Sequence, residues 1–253
     1  MTAPSRLDFV IAEPSPALRA GKPARPMLHA GEGEAMPEAS KRSLARVLLQ
    51  RYPKSPADRL KIEVSQDKPA VLFRWLVASL LFSARIGADQ AESAAGALFA
   101  QGWRTPQKMA KVTWARRVKV LNRAGYARYD ESTSRYIADS TEMLLERYGG
   151  DLRRLRQEAG HDPARERMLV KQFKGIGDVG ADIFFREVQC AWPELYPFAD
   201  KRALQAAAKV GLGKDAADLA RAVERKSDLP RLLAALVAAD LAKKLDDVRR
   251  EAG

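Results

Sequence analysis

Asp200 stands in the stretch YPFADKRALQAAAKVGL, followed at once by Lys201 and Arg202 and then by a run of strong helix formers. A carboxylate in such a place can do one of two kinds of chemistry: it can stabilise positive charge that builds on a reacting carbon, or it can activate a water molecule. Neighbouring Lys and Arg side chains favour the ionised form, which suits a charge stabiliser better than a base poised near neutrality. Asp is also a preferred N-cap, and the helical run after Asp200 predicts that role too; the two roles are compatible.

Upstream lies FKGIGDVGADIFF, Phe173 to Phe185. Gly175 and Gly177 can adopt backbone angles closed to other residues and leave their peptide groups uncovered. Ile176 between them is expected to plug into the core, and Asp178 to cap the following helix. Uncovered N–H groups at the positive end of a helix form a phosphate-binding site, and Lys171 and Lys174 add cationic charge beside it. The same glycines also suit an ordinary close-packed corner between two helices.

The elements that must hold these residues read as helices. RERMLVKQF precedes the glycines and DVGADIFFREVQ follows them. KRSLARVLLQRY carries Leu44, Val47 and Leu48 at helical spacing. KPAVLFRWLVASLLFSA is apolar almost all round, which predicts a central buried helix with Trp75 in the core. Thr105 and Pro106 form a start signal. Gly125 and the pair Gly149–Gly150 are stop signals. Two late helices are expected over KDAADLARAVERK and LPRLLAALVAADLAKKLDDVRRE. No stretch alternates with the period of a strand, so the fold class is all-α. Residues 1–40, dense in Pro, Ala, Gly and Glu, read as a disordered arm.

Among the 253 residues, 44 Lys and Arg against 32 Asp and Glu give a net charge of +12. Such an excess points to a polyanionic partner, most often nucleic acid. The single cysteine, Cys190, excludes an internal disulfide and a cysteine-ligated iron–sulfur cluster. His29 and His161 are too few for a zinc site. No apolar run is long enough to span a bilayer, and no signal peptide is evident. A cytoplasmic protein without a membrane partner is expected.

Taken together, FKGIGDVGA and, 25 residues after Gly175, ADKRALQAAAKVGL resemble the two signature blocks of the helix-hairpin-helix DNA glycosylases, the superfamily of endonuclease III. PAVLFRWLVASLLFSARIGADQA and LNRAGYARYDESTSRYIADSTEMLLERYGGDL are similar to two further blocks, so the likeness runs over about residues 67–213. It implies two helical lobes: a six-helix barrel with the hairpin at 67–190, and a second lobe of 41–66 with 191–253. It implies double-stranded DNA as partner, Asp200 as the catalytic carboxylate, and Gly175, Ile176, Gly177, Lys171, Lys174, Lys201 and Arg202 at the DNA. Arg85 falls where the family places a residue that fills the gap left by a flipped nucleotide, and Tyr126 and Tyr129 fall near the base pocket. A monomer is the default. No cofactor is implied, although a monovalent cation could sit at the hairpin carbonyls.

Departures from the pattern shape the expected chemistry. The lysine by which some members attack the sugar carbon is replaced by Val179, which cannot form a Schiff base, so strand cleavage is not expected. Lys201, Arg202 and Gln205 replace the family's threonine, histidine and arginine after the aspartate. The resemblance implies a monofunctional DNA glycosylase of base-excision repair. The alternatives are a catalytically silent DNA-binding relative and, more remotely, a protein-interaction module.

Overall fold

The computed structural model describes residues 36–253, and among them every regular element is helical. The first 35 residues of the expected arm lie outside the described residues, and its last residues do not continue it: helix α1 (Glu38–Arg51) already begins at Glu38. There follow α2 (Pro56–Arg59), α3 (Pro69–Phe82), α4 (Ala88–Ala100), α5 (Pro106–Ala110), α6 (Trp114–Arg123), α7 (Asp130–Tyr148) and α8 (Leu152–Glu158). After them come α9 (Pro163–Val170), α10 (Asp178–Val188), α11 (Lys201–Lys209), α12 (Ala216–Ala222), α13 (Leu229–Leu241) and α14 (Leu245–Ala252).

Local chemistry explains most boundaries. The Thr105 hydroxyl accepts from Lys108 N, with Pro106 opening α5. Asp151, Asp162 and Asp215 cap α8, α9 and α12 through their carboxylates. Gly149 and Gly150 end α7 with positive φ. The last expected helix is two. Lys243 takes φ +55 and breaks it, with Lys244 N donating to Ala239 O. The break turns α14 back so that it packs on α1, and it buries Leu245 and Val248. That burial is a tertiary effect that the helix-favouring composition of LAKKLDD does not reveal.

Buried side chains form two apolar clusters. One is built from α2 to α10, centred on α3 and α10; the other from α1 and α11–α14. Helix α3 buries ten of its residues, including Trp75, whose indole N–H donates to the carbonyl of Phe184 on α10 at 3.1 Å. Ala57, Ile62 and Val64 pack in the first cluster, whereas only α1 of the 41–66 stretch packs in the second. The chain passes from the first cluster to the second between Leu195 and Ala203, and Asp200 lies in that passage.

Candidate functional site

The hairpin between α9 and α10 is held from beneath. Phe173 and Ile176 are buried, and Ile176 N donates to Phe173 O at 3.0 Å. Ser140 on α7 donates its hydroxyl to Lys174 O at 3.0 Å. Gly175 has φ +84, and a Cβ there would lie 2.9 Å from Tyr136 Cδ2, so only glycine fits both the backbone and the space. Gly177 does different work. Its φ is −92, and a Cβ on it would touch nothing within 4 Å. It is the N-cap of α10, and no side chain caps that end. The first N–H groups of α10 are therefore open donors at the positive pole of an 11-residue helix.

Asp178, expected as the cap, is instead the first residue of α10. Its exposed carboxylate takes Lys171 Nζ at 2.7 Å and Arg167 Nη2 at 3.3 Å. Hydrogen bonds from Lys171 and then Arg167 hold that carboxyl below its ordinary range. Lys171 is thus engaged within the protein, while the exposed Lys174 makes no ion pair among the described residues.

Beside the hairpin a cleft of about 460 Å³ is lined by Arg85, Tyr126, Tyr129, Thr133, Tyr136 and Gly175, among others. Arg85, Tyr126 and Tyr129, each expected at the DNA or the base, thus share one concavity with the hairpin. Tyr126 is 1% exposed and donates its hydroxyl to Leu81 O at 3.2 Å, so it builds the wall; burial raises its phenol pKa. Tyr129 and Tyr136 are half-buried and present ring surface. The Arg128 guanidinium lies 5.3 Å from the Tyr129 ring centre. Nothing in the sequence marks Tyr136. It lies mid-helix in SRYIAD, and only the approach of Gly175, 39 residues away along the chain, gives it a role.

Asp200 does not line that cleft. It caps α11, with Oδ1 accepting from the N–H groups of Arg202 and Ala203 at 3.1 Å each. Oδ2 accepts from Arg186 Nε at 2.8 Å and is ion-paired with Nη2, also at 2.8 Å. The Asp200 side chain is 2% exposed and that of Arg186 is 9%. Lys201 and Arg202, expected around it, are exposed.

Arg186 belongs to a stripe on α10. Val179, Asp182 and Arg186 follow at helical spacing, leading from the hairpin to Asp200. Val179 is 59% exposed. Asp182 accepts from Arg167 Nη1 at 2.7 Å; its carboxyl is raised by burial, which Arg167 opposes and the nearby Asp200 charge reinforces. The signal that could have found this stripe is the helical spacing of Asp182 and Arg186, four residues apart in DVGADIFFREV.

No protein-family model matches the chain, and no curated protein matches it. Solved structures do. The chain is similar to a non-covalent complex of endonuclease III with DNA, at TM-score 0.50 and 16% identity, covering 81% of this chain and 86% of the other. It is also similar to a trapped covalent intermediate of endonuclease III with DNA, an estranged-adenine complex, at TM-score 0.47 and 14% identity over the same shares. The likeness is one of fold: an all-α helix-hairpin-helix architecture of the endonuclease III kind.

Proposed function

We propose that the chain binds double-stranded DNA through the open end of α10 and acts as a monofunctional DNA glycosylase. One observation carries this reading: the uncapped N-terminus of α10, carried on the Gly175–Gly177 hairpin, opens beside the cleft that holds Arg85, Tyr129 and Tyr136. Phosphate oxygens suit those N–H donors, Lys174 adds charge, and a base turned out of the stack can lie on the tyrosine rings. Arg85 would then stand where the base had been. The fold shared with endonuclease III, solved in complex with DNA, supports the choice of partner.

In the reaction the C1′–N bond breaks and its electron pair leaves with the base. Water supplies a hydroxyl to C1′, and the proton it sheds balances the charge on the departing base. Asp200 would stabilise the cationic sugar or orient that water. Val179 offers no amine, so no strand break should follow. The protein would act as a monomer and without a cofactor. A monovalent cation could sit at the hairpin carbonyls, since those of Phe173 and Lys174, which accept from Ile176 N and the Ser140 hydroxyl, each keep a second lone pair.

A second reading has its own observation. With Oδ1 taken by two amides and Oδ2 paired with Arg186, and with a side chain 2% exposed, Asp200 resembles a structural cap, as in a DNA-binding relative without activity. The experiment is base release from labelled duplexes carrying uracil, an alkylated purine, an oxidised pyrimidine, 8-oxoguanine or a mismatch. Alkali-dependent breaks are expected from the wild type and none from Asp200→Asn. No release from any duplex, despite salt-sensitive binding, would leave the second reading standing.

A further inference from the structure

A carboxylate has about four lone-pair positions. In Asp200 the two on Oδ1 are held by the amides of Arg202 and Ala203, while at Oδ2 Arg186 Nε donates one hydrogen bond and Nη2 stands 2.8 Å away as an ion pair. So paired, and with its side chain 2% exposed, it is screened both from water and from a cationic sugar. The two halves of this arrangement are not equally firm. The bonds at Oδ1 cap α11 and cannot be given up without exposing its first turn. The pairing at Oδ2 joins two side chains, and the guanidinium can exchange it for another anion of the same shape. A phosphate diester is such an anion, since it matches the guanidinium fork as well as a carboxylate does.

Arg186 also lies where such an exchange can happen. It follows Val179, at the exposed start of α10, by two helical turns on the same side, and Asp182 between them is already engaged by Arg167. Its third nitrogen, Nη1, donates to no described residue.

We propose that Arg186 is a positioning latch on Asp200, opened by a DNA phosphate. In the free protein the guanidinium covers Oδ2; when the duplex docks, the guanidinium moves to a backbone phosphate and Oδ2 is uncovered toward the sugar. This rests on Asp200 being the carboxylate that serves base release. Arg186 touches no reacting atom and acts only through Asp200.

Linkage supplies a test independent of chemistry. If Asp200 and DNA compete for Arg186, removing the carboxylate must strengthen DNA binding, and only when Arg186 is present. The probe is a duplex carrying a tetrahydrofuran abasic-site analogue, titrated by fluorescence anisotropy at several salt concentrations. The proteins are the wild type, Asp200→Asn, Arg186→Met and the double variant. Asn caps a helix as well as Asp does, so α11 should persist, which far-UV circular dichroism checks.

Asp200→Asn is expected to bind about fivefold tighter or more, the lower end of ordinary coupling, with a steeper salt dependence. The tightening should vanish in the Arg186→Met background. Equal tightening in both backgrounds would mean only that a negative charge had been removed near DNA, and would overturn the latch. Should Arg186→Met not fold, Arg186→Lys replaces it; losing the fork, it must shrink the effect, and an undiminished effect is again fatal. A coupled cycle without base release from any duplex would instead defeat the glycosylase reading and leave the competition for Arg186 intact.

Discussion

The backbone of Gly175 presses against the ring of Tyr136: a Cβ on Gly175 would lie 2.9 Å from Cδ2 and 3.2 Å from Cβ of that tyrosine. This close approach ties the hairpin turn to the wall of the cleft. Gly175→Ala adds the penalty of φ +84 for a residue with a side chain to this overlap. The variant should lose about 1–3 kcal/mol of stability, the range for a strained backbone position with a clash. Thermal unfolding checks the loss, and the Tyr136→Ala, Gly175→Ala double variant should recover only the part due to the ring. Gly177→Ala, in open space at negative φ, should cost less, only the preference of an N-cap for glycine over alanine.

On the proposed function, Asp178 would compete with DNA for the cations of the hairpin, because its carboxylate holds Lys171 and Arg167 beside the open end of α10. Asp178→Asn frees Lys171, leaves Arg167 paired with Asp182, and removes a negative charge from the phosphate position. Duplex binding should tighten, and the log–log slope of affinity against salt should steepen by about 0.9 for each further phosphate that is neutralised. Lys174→Ala should flatten that slope by a similar amount, and Lys171→Ala should change it less, since Lys171 starts from a paired state.

Much of this is legible in the sequence because local chemistry decides it. Thr105–Pro106, the glycine pair after Tyr148 and the apolar α3 appear where their residue types predict. What is not legible depends on distant partners. Arg186 reads as one arginine among many until α10 is laid against the segment that carries Asp200. Tyr136 is an ordinary helical tyrosine until Gly175 approaches it. Asp178 looks like the cap by residue type, but Gly177 holds that position and leaves the carboxylate to the lysine and arginine of α9 and its exit. Asp200 reads as a residue in the company of Lys201 and Arg202, its chain neighbours. Instead its charge is met from across the fold, as the side chains next to a helix cap point outward into solvent.

On the proposed function, Val179 would decide whether DNA is cut after base release. It is 59% exposed in the first turn of α10, so a longer side chain can be placed there without repacking. Wild-type protein incubated with an abasic duplex and borohydride should give no covalent adduct, because no amine stands at that position to form the imine that borohydride reduces. Val179→Lys should give one, seen as a shifted band on a denaturing gel. An adduct from the wild type would assign the attack to another amine, and Lys174→Ala and Lys201→Ala would show which.

Glu166 and Glu194 make the fold sensitive to alkaline pH. Glu166, on α9, is fully buried, and neither of its carboxyl oxygens meets a donor. Burial, then the hydrogen bond to Glu194 and the charge of Glu194, push its pKa up to about 8. Burial also pushes Glu194 up, but Arg156, at 2.5 and 2.7 Å, and the Glu166 proton outweigh it and bring Glu194 down to about 2. His161 Nδ1 lies 3.4 Å from Glu194 as well. The folded pair therefore keeps one proton that the unfolded chain sheds above its ordinary carboxyl pKa of 4.5. Stability from Glu166 is full below 4.5 and is lost as pH rises toward 8; that from Glu194 is present above 4.5 and lost as pH falls toward 2. Between about pH 5.5 and 8.5 the melting temperature of the wild type should fall. Glu166→Gln keeps a donor for Glu194 without a proton to lose, so it should match the wild type near the acid end of that window and exceed it at the alkaline end. The gap should be several degrees, at roughly 2–4 °C per kcal/mol for a chain of this size. Some slope should persist in the variant, because burial also raises Glu187 to about 7, and Glu166→Gln with Glu187→Gln should flatten it further. Parallel slopes in the wild type and Glu166→Gln would show that the pair does not hold the proton.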